Sequence, residues 1–313
     1  MTTATTTIKH ITFRNPDMYW DIAADLYLPA DFDESVQYPA VICAHPIGSC
    51  KEQTSGNVFA SRLAEEGFVA IAFDASFQGA SGGEPRLIED PTQRVEDFRR
   101  VTDYLVTLPY VDDARIGALG VCGGGGYVLA AGQSEKRIKA IVGVTPVNYG
   151  RMMRDNAAAQ GGAIELLTQV AAQRTAEVTG ADHAISEFLP ATEDQAKQIG
   201  DIDIVEAFDY YCTARGENEH GQAHFDVAHG SAALVFDAFA FAEFFDQPVR
   251  VFVGDKKGAF GAYDDAHAFI EKAASTDKKI TVLDDTSHYD LYDQPNGAGR
   301  ALEEIVPFFQ NTL

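Results

Sequence analysis

Basic side chains are scarce in this 313-residue chain, which has 24 lysines and arginines against 47 aspartates and glutamates. The formal net charge of −23 disfavours binding to nucleic acid or to an anionic membrane surface, because both repel an acidic protein. We therefore expect neither partner. Long apolar runs are also missing, since no stretch reaches the roughly 18 apolar residues that a membrane-spanning helix needs.

Cysteine is almost as scarce, with only Cys43, Cys50, Cys122 and Cys212. These four have no C-x-x-C spacing and no regular framework, which argues against a fold built on disulfides or on zinc. Free thiols and an N-terminus without a signal-peptide pattern predict a cytoplasmic protein. No motif indicates a metal ion or an organic cofactor, so we expect none.

Apolar residues make up 46% of the chain and aromatic residues 11%, enough for a sizeable core. Residues 7–29 predict two antiparallel edge strands, and continuous apolar runs then alternate with helical patterns. This rhythm predicts an α/β protein with a doubly wound, mostly parallel sheet and right-handed crossovers. We predict core strands at PAVICAH, GFVAIAFD, RIGALGV, RIKAIVGV, PVRVFVG and ITVL.

The strand–helix rhythm stops after residue 149 and resumes at residue 246. Residues 150–245 carry helical patterns and no convincing buried strand. An insertion of this size between two core strands predicts a helical cap over the carboxyl edge of the sheet. We therefore assign residues 1–149 and 246–313 to the core and residues 150–245 to the cap.

One turn dominates the candidate chemistry, the stretch RIGALGVCGGGG at Arg115–Gly126. Cys122 stands between Gly120 and Gly124, which is the G-x-nucleophile-x-G spacing of a nucleophile elbow with cysteine in place of serine. The glycines are needed because side chains at these positions would collide with the neighbouring strand and helix. The alternatives are a cysteine that only packs in the core and a glycine loop that holds a phosphate.

The loop after the first buried strand, His45–Gly48, could supply an oxyanion hole. Ile47 is placed to offer one backbone N–H group, and Gly123, the residue after the nucleophile, would offer the other. We interpret His45 as the residue that organises this loop, and not as a base.

His288, on the loop after the last strand, is the candidate general base. An imidazole within hydrogen-bond distance would convert the Cys122 thiol to thiolate, and an acid would orient the imidazole. Asp255 follows an earlier strand, so the order nucleophile, acid, base is that of the α/β-hydrolase fold. A Cys–His pair without a carboxylate stays open, as do four other acids: Asp264, Asp265, Asp284 and Asp285.

Several motifs together resemble a bacterial α/β-hydrolase family close to dienelactone hydrolases and the YcjY-type proteins. They are HPIGSCKEQT, FDASFQGASGGEPR, GVCGGGG, DYYCTARG, GAFGAYDDA and SHYDLYDQP. The resemblance implies an α/β-hydrolase fold and a Cys-His-Asp triad that cleaves esters or lactones, with Cys122 as nucleophile and His288 as base. Two features depart from it: Asp255 stands two residues before the usual acid position, and dienelactone hydrolases have no comparable cap.

The sequence thus favours a hydrolase that cleaves an ester, thioester or lactone through a cysteine nucleophile and an acyl-enzyme. One alternative is an acyltransferase, lyase or cyclising enzyme on the same fold. Another is a homologue that binds ligands without catalysis. The expected partner is a small-molecule acyl substrate, and a homodimer is one assembly to consider.

Overall fold

The computed structural model describes residues 6–159, 161–221 and 223–313, and within them the chain forms one large sheet flanked by helices. Residues 1–5 of the predicted core and residues 160 and 222 of the predicted cap lie outside the described ranges. The strands within these ranges are β1 (Thr7–Phe13), β2 (Ile22–Leu28), β3 (Tyr38–Ala44), β4 (Val69–Phe73), β5 (Val111–Val121), β6 (Ile138–Val144), β7 (Ile185–Glu187), β8 (His224–Asp226), β9 (Val249–Gly254) and β10 (Lys278–Leu283). The α-helices are α1 (Ser61–Glu65), α2 (Pro91–Leu105), α3 (Gly123–Gly132), α4 (Tyr149–Ala159), α5 (Ala163–Val178), α6 (Glu193–Ile199), α7 (Ile202–Cys212), α8 (Ser231–Val235), α9 (Ala262–Lys272), α10 (Asp290–Asp293) and α11 (Arg300–Thr312).

The main sheet has eight strands in the order β1-β2-β4-β3-β5-β6-β9-β10. Strand β2 is antiparallel to both of its neighbours, and the pairs from β4 to β10 are parallel. The predicted α/β-hydrolase topology, a mostly parallel sheet with an antiparallel edge, is confirmed. Because parallel strands end at one edge, the loops after β3, β5, β6, β9 and β10 all meet there.

Apolar side chains cover both faces of the central strands, which explains their unbroken hydrophobic sequence. All of β4 is buried, as is β5 from Ile116 onward. Helix α3 lies against β5 and β6, and its glycines and small side chains let the backbones approach closely. On the other face, the Phe309 ring of α11 packs so close to Gly117 that a Cβ there would lie 2.8 Å from it.

The insertion between β6 and β9 contains helices α4 to α8 and one short antiparallel ribbon, β7 paired with β8. The sequence predicted the helices but not the ribbon. Each ribbon strand has only three residues, and β7 is fully exposed, so neither strand shows an alternating pattern long enough to read.

The predicted helix over residues 51–66 forms only in its second half. A π-helical stretch covers Thr54–Ala60 before α1 begins. Contacts outside the helix explain the difference: the Thr54 hydroxyl donates to the Tyr292 carbonyl at 2.6 Å, and Gly56 packs directly on the Lys51 carbonyl. Side-chain hydrogen bonds of this kind compete with regular helical bonding.

Two arginine–aspartate pairs attach the insertion to the core. Arg151 of α4 forms a bidentate salt bridge with Asp265 of α9, with N–O distances of 2.7 and 2.9 Å. Arg215, just after α7, contacts both carboxylate oxygens of Asp293 in α10, at 3.1 and 2.7 Å. Bidentate pairs fix direction as well as distance, so they orient the insertion over the carboxyl edge of the sheet.

None of the helices in the described ranges has both the length and the apolar character required to span a bilayer.

Substituting Gly120 with alanine should destabilise the protein much more than the same change at Gly143. The two glycines face each other in the β5–β6 pair. A Cβ at Gly120 would lie 2.0 Å from the Gly124 carbonyl oxygen, whereas one at Gly143 would make an ordinary 3.4 Å contact with Leu129. We expect G120A to lower the free energy of unfolding by about 3 kcal/mol and G143A by less than about 1 kcal/mol, measured by urea denaturation. Equal losses would show that the elbow backbone can relax.

Candidate active site

Cys122 sits at a strained turn between β5 and α3. Its φ and ψ are 55° and −121°, a conformation that residues other than glycine rarely adopt. Its glycine neighbours are required sterically, because a Cβ at Gly124 would lie 2.5 Å from the His45 carbonyl oxygen. The structure therefore has the backbone geometry that the G-x-C-x-G spacing predicted, with the sulfur at the carboxyl edge of the sheet.

The two backbone N–H groups predicted for an oxyanion hole both lie beside the Cys122 sulfur. The amides of Gly123 and Ile47 each act to lower the pKa of the thiol. Placing Ile47 there depends on a tight fit, because a Cβ on Gly123 would lie 2.2 Å from the Ile47 side chain. Donors at this position can hold an oxygen that becomes negative during acyl transfer.

His45 organises the loop that carries Ile47. Its Nδ1 donates to the Pro46 carbonyl at 2.7 Å, and its Nε2 accepts from the Ala75 amide at 3.1 Å. Arg94 also donates to the His45 carbonyl at 2.6 Å. Burial, and then the Arg94 charge, hold the pKa of His45 well below its usual range, so this imidazole stays neutral.

His288 lies in the loop after β10, buried among aromatic rings. Its ring centroid is 5.4 Å from Phe260 and 5.6 Å from Tyr292. The turn is fixed by a reciprocal pair of bonds, in which the Ser287 amide donates to Asp290 and the Asp290 amide donates to the Ser287 hydroxyl. Nε2 of His288 has no hydrogen-bond partner among the described residues, so it is available to an incoming group.

The other ring nitrogen of His288 contacts a hydroxyl and not a carboxylate. Nδ1 lies 2.8 Å from Oγ1 of Thr145, the residue that follows β6. Thr145 has a φ of 41°, an outlier for a β-branched side chain, and its own amide is held by the Phe252 carbonyl at 2.7 Å. Thr145 was not among the predicted site residues, and its position directly after a core strand is the one sequence feature that indicates it.

The structure does not bring Asp255 to His288. Its carboxylate is exposed and accepts from the Thr286 amide at 3.2 Å. The other four acids considered from the sequence are each paired with a basic side chain: Asp264 with Lys257, Asp265 with Arg151, Asp284 with Arg300 and Asp285 with Lys256. None of these acids contacts His288, and no hydrogen bond joins its Nε2 to the Cys122 sulfur; the two residues share Phe260, Tyr289 and Tyr292 as neighbours.

A different carboxylate, Asp203 of α7, does enter the site from the insertion. It is buried and lines a small cavity together with Thr145 and His288. Its Oδ2 accepts from the Phe260 amide at 2.8 Å, while Oδ1 has no partner among the described residues. Burial raises the pKa of Asp203 to about 7. Nothing in the sequence indicated this position for Asp203, because acidic residues are common in the first turn of a helix.

An aromatic chamber encloses the sulfur. Three tyrosine hydroxyls project into it, and burial raises the pKa of each well above its usual range, so they remain neutral donors. The cavity leaves about 20 Å³ for the centre of a water-sized sphere, room for about one water. Its lining residues are Ile47, Cys122, Val147, Met152, Phe188, Tyr211, Phe260, Tyr289 and Tyr292.

Burial keeps both the thiol and the imidazole neutral. It raises the pKa of Cys122 to about 11, although the Tyr292 hydroxyl and the amides of Gly123 and Ile47 act in the opposite direction. Burial also lowers the pKa of His288 to about 3. The preformed thiolate that the sequence suggested is therefore absent in this closed arrangement, and proton transfer has to accompany attack on a substrate.

Alkylation of Cys122 should accelerate continuously with pH. Because the thiolate is the reactive form and the thiol pKa is about 11, we expect the iodoacetamide rate to rise about tenfold per pH unit from pH 7 to 10. Mass spectrometry of the modified peptide separates Cys122 from the exposed Cys212, which serves as the accessible-thiol reference. A plateau below pH 8 would instead indicate a thiolate–imidazolium pair.

Replacing Asp203 with asparagine should speed this alkylation only above pH 7. The Asp203 carboxyl ionises near pH 7, and its negative charge raises the pKa of Cys122, so the charge disfavours the thiolate only where Asp203 is ionised. We expect D203N to match the parent rate at pH 6 and exceed it severalfold at pH 9. E193Q, an exposed change in the same insertion, is the matched control. Equal rates for D203N and the parent at both pH values would contradict electrostatic contact between the two groups.

Comparison with known proteins agrees with this geometry at the level of fold and family. The family Hydrolase_4 (serine aminopeptidase, S33) matches residues 39–295. The uncharacterized protein YcjY of Escherichia coli (strain K12) is 38% identical over 296 residues, covering 93% of this chain and 94% of YcjY. The uncharacterized protein PA2218 of Pseudomonas aeruginosa is 32% identical over 306 residues, covering 93% of this chain and 77% of PA2218.

Solved structures show the same fold along almost the whole chain. The crystal structure of PA2218 superposes with a TM-score of 0.88 and 28% identity, covering 99% of this chain and 95% of that one. The α/β-hydrolase GrgF from Penicillium sp. sh18 gives a TM-score of 0.79 at 17% identity, with 98% and 99% covered. In sequence, the polyketide transferase grgF of Penicillium sp is 30% identical over 116 residues, 37% of this chain and 39% of its own length.

The resemblance to YcjY-type proteins is thus confirmed, while the dienelactone hydrolase relationship stays a prediction. The strand order, the cysteine elbow and the match over residues 39–295 lead to one conclusion: this chain belongs to the Hydrolase_4 family (serine aminopeptidase, S33) of α/β-hydrolases.

Proposed function

We propose that this protein is a cysteine-dependent hydrolase that cleaves an ester, thioester or lactone through a covalent acyl-enzyme. The observation that carries the proposal is the strained Cys122, with the amides of Ile47 and Gly123 beside its sulfur. Backbone donors arranged around a nucleophile at the carboxyl edge of the sheet suit attack on a carbonyl group. The family description names a serine enzyme, and in this proposal the Cys122 sulfur acts where such an enzyme uses a hydroxyl.

The reaction begins with two neutral groups. As the Cys122 sulfur forms a bond to the substrate carbonyl carbon, the thiol proton passes to Nε2 of His288, and the two amides bind the resulting oxyanion. The imidazolium then gives that proton to the leaving oxygen or sulfur, and the acyl group remains on Cys122. Water, deprotonated by the same Nε2, attacks the thioester, and proton return to the sulfur releases the acid.

Thr145 orients the base in this scheme. Nε2 can accept a proton only if Nδ1 carries one, and the 2.8 Å contact with Oγ1 of Thr145 then makes the hydroxyl an acceptor for Nδ1–H. A hydroxyl cannot neutralise the imidazolium that forms. Asp203 lines the same cavity as His288, and in its ionised form it would supply the missing negative charge.

The chamber indicates the kind of acyl group. Its walls are aromatic and aliphatic, so an apolar acyl chain would bind there by burial, with the tyrosine hydroxyls available to polar atoms near the carbonyl. With room for about one water, the chamber fits only a short acyl group as it stands. A longer chain would require the insertion, which contributes Phe188 and Tyr211, to move outward.

Acyl transfer is the second candidate function. A cavity that holds little water favours an alcohol, amine or carbon acceptor over hydrolysis of the thioester intermediate. The partial sequence match to a protein named polyketide transferase also supports acyl transfer.

The buried free cysteines are compatible with a reducing compartment, and we propose the cytoplasm as the site of action.

Hydrolysis of p-nitrophenyl acetate and of an acetyl thioester tests the proposed roles. We expect Cys122→Ala to reduce kcat/KM to background and His288→Ala to reduce it by about 10²–10⁴-fold. Thr145→Val should cost about fivefold, because one hydrogen bond of about 1 kcal/mol is lost. Intact-protein mass spectrometry should show a 1:1 acetyl adduct on the parent and none on Cys122→Ala.

The matched control is His267→Ala, which removes an exposed histidine of α9 whose Nδ1 contacts only the Tyr263 carbonyl. It should retain the parent rate. Unchanged hydrolysis by Cys122→Ala would overturn the mechanism. Product analysis with added alcohols or amines then separates hydrolysis from acyl transfer, since a transferase would form the new ester or amide in place of the free acid.

A further inference from the structure

The insertion contains a second cluster of reactive side chains, away from Cys122. Glu177 near the end of α5, His183 in the following loop and Asp226 of β8 place one ligand atom each within 4.8 Å of one another. Nδ1 of His183 lies 3.1 Å from Oε2 of Glu177 and 3.0 Å from Oδ2 of Asp226. Two carboxylates thus face a single imidazole nitrogen.

The remaining carboxylate oxygens are already held by other donors. Oε1 of Glu177 accepts from the Gln173 side chain at 2.7 Å, and Oδ1 of Asp226 contacts Nδ1 of His229 at 3.0 Å. Each acid therefore has one oxygen fixed by a neighbour and the other directed at the same point. This is the arrangement of ligands supported by an outer layer of hydrogen bonds in metal sites.

The negative charges of Glu177 and Asp226 favour a bound cation between them and His183. The Asp226 side chain is 1% exposed and that of Glu177 is 9% exposed. No lysine or arginine within the described ranges forms an ion pair with either of them, and one Nδ1–H cannot satisfy two ionised oxygens fully. Buried carboxylates whose basic neighbours are imidazoles are costly while those rings are neutral, and a divalent ion would neutralise both acids.

We propose that Glu177, His183 and Asp226 bind a divalent transition-metal ion of the zinc class, with His229 and Gln173 orienting the two carboxylates. Ligand bonds of about 2.0–2.2 Å in a tetrahedral site place neighbouring ligand atoms about 3.4 Å apart. The observed contacts of 3.0 and 3.1 Å need to open by only a few tenths of an ångström. One imidazole with two carboxylates suits zinc, and water would complete the coordination.

The His183 side chain is 55% exposed, which leaves a route by which the ion can enter. The bound ion would have a structural role, because its ligands surround the β7–β8 ribbon. His183 precedes β7, Asp226 ends β8, and their segments are joined by a bond from the Val227 amide to the Ala184 carbonyl at 2.9 Å. Phe188, directly after β7, lines the chamber over Cys122. An ion that joins α5 to the ribbon would therefore fix one wall of the candidate active site.

Nothing in the linear sequence indicated this site, and we expected no metal from it. The ligands are separated by 5 and 42 residues and follow no recognised ligand spacing, so only the ribbon brings them together.

Zinc binding by chelator-treated protein tests the proposal. The parent for all measurements carries Cys122→Ser and Cys212→Ser, so that neither the active-site thiol nor the exposed thiol binds metal. We expect isothermal titration calorimetry and elemental analysis to give one Zn²⁺ per chain. Saturation should raise Tm by about 5 °C, and Co²⁺ in place of Zn²⁺ should give visible absorption bands of tetrahedral N/O coordination.

His183→Gln should weaken Zn²⁺ binding by at least about 30-fold and abolish the Tm increase, since this half-exposed residue can change without disturbing the fold. Glu177→Gln, which keeps its shape and its contact with Gln173, should have a similar effect. His267→Gln removes an exposed histidine elsewhere and should bind as the parent does, with circular dichroism confirming that each variant folds. The proposal is overturned if the parent takes up no stoichiometric Zn²⁺, or if His183→Gln binds it with parental affinity.

Discussion

The close packing of two backbone segments is the constraint on which the candidate site depends. Where β5 turns into α3, no side chain fits at Gly124, which packs on the His45 carbonyl of the loop after β3, or at Gly120, which packs on the Gly124 carbonyl. That contact puts Cys122 in its strained conformation and places the Ile47 amide beside the sulfur. The nucleophile is consequently positioned by the core, while the loop that carries Ile47 is also held by the insertion, because the Ala223 amide donates to the Gly48 carbonyl at 2.9 Å.

Burial is the second determinant, and it changes the chemistry that a cysteine would otherwise favour. An exposed cysteine beside a histidine tends to ionise, but here Cys122 and His288 are both buried, and burial makes charge separation costly. A negative charge beside His288 would therefore stabilise the imidazolium that forms during the reaction, whereas the free enzyme holds a neutral imidazole. A hydroxyl on Nδ1 and an acid that ionises only near neutral pH are consistent with a site that stays neutral until substrate arrives.

The sequence predicted the parts of the protein that local rules determine. Buried strands have continuous apolar runs, so the sheet was predictable, as was the strained turn at Cys122 between glycines; the roles of Cys122, Ile47 and Gly123 stay predictions. The partner of the His288 Nδ1 could not be predicted, because a threonine after a strand has no distinctive sequence pattern. The carboxylate expected in its place, Asp255, is exposed. Asp203 comes from an insertion whose orientation depends on long-range contacts such as Arg151–Asp265.

The insertion therefore does more than cover the sheet. It contributes Phe188 and Tyr211 to the chamber and Asp203 to the cavity beside His288, so the size and the charge of the site both depend on how it is held. Its attachments lie at different points: Arg151 and Arg215 pair with core helices, and the ribbon bonds through the Asp226 amide to the Leu87 carbonyl at 2.9 Å. Since Asp226 is also a proposed metal ligand, an ion there would act on the same wall of the chamber that a long acyl substrate has to displace. Because Tyr211 and Ala223 of the insertion also contact the loop that carries Ile47, such a movement would reach one oxyanion donor as well as the wall of the chamber.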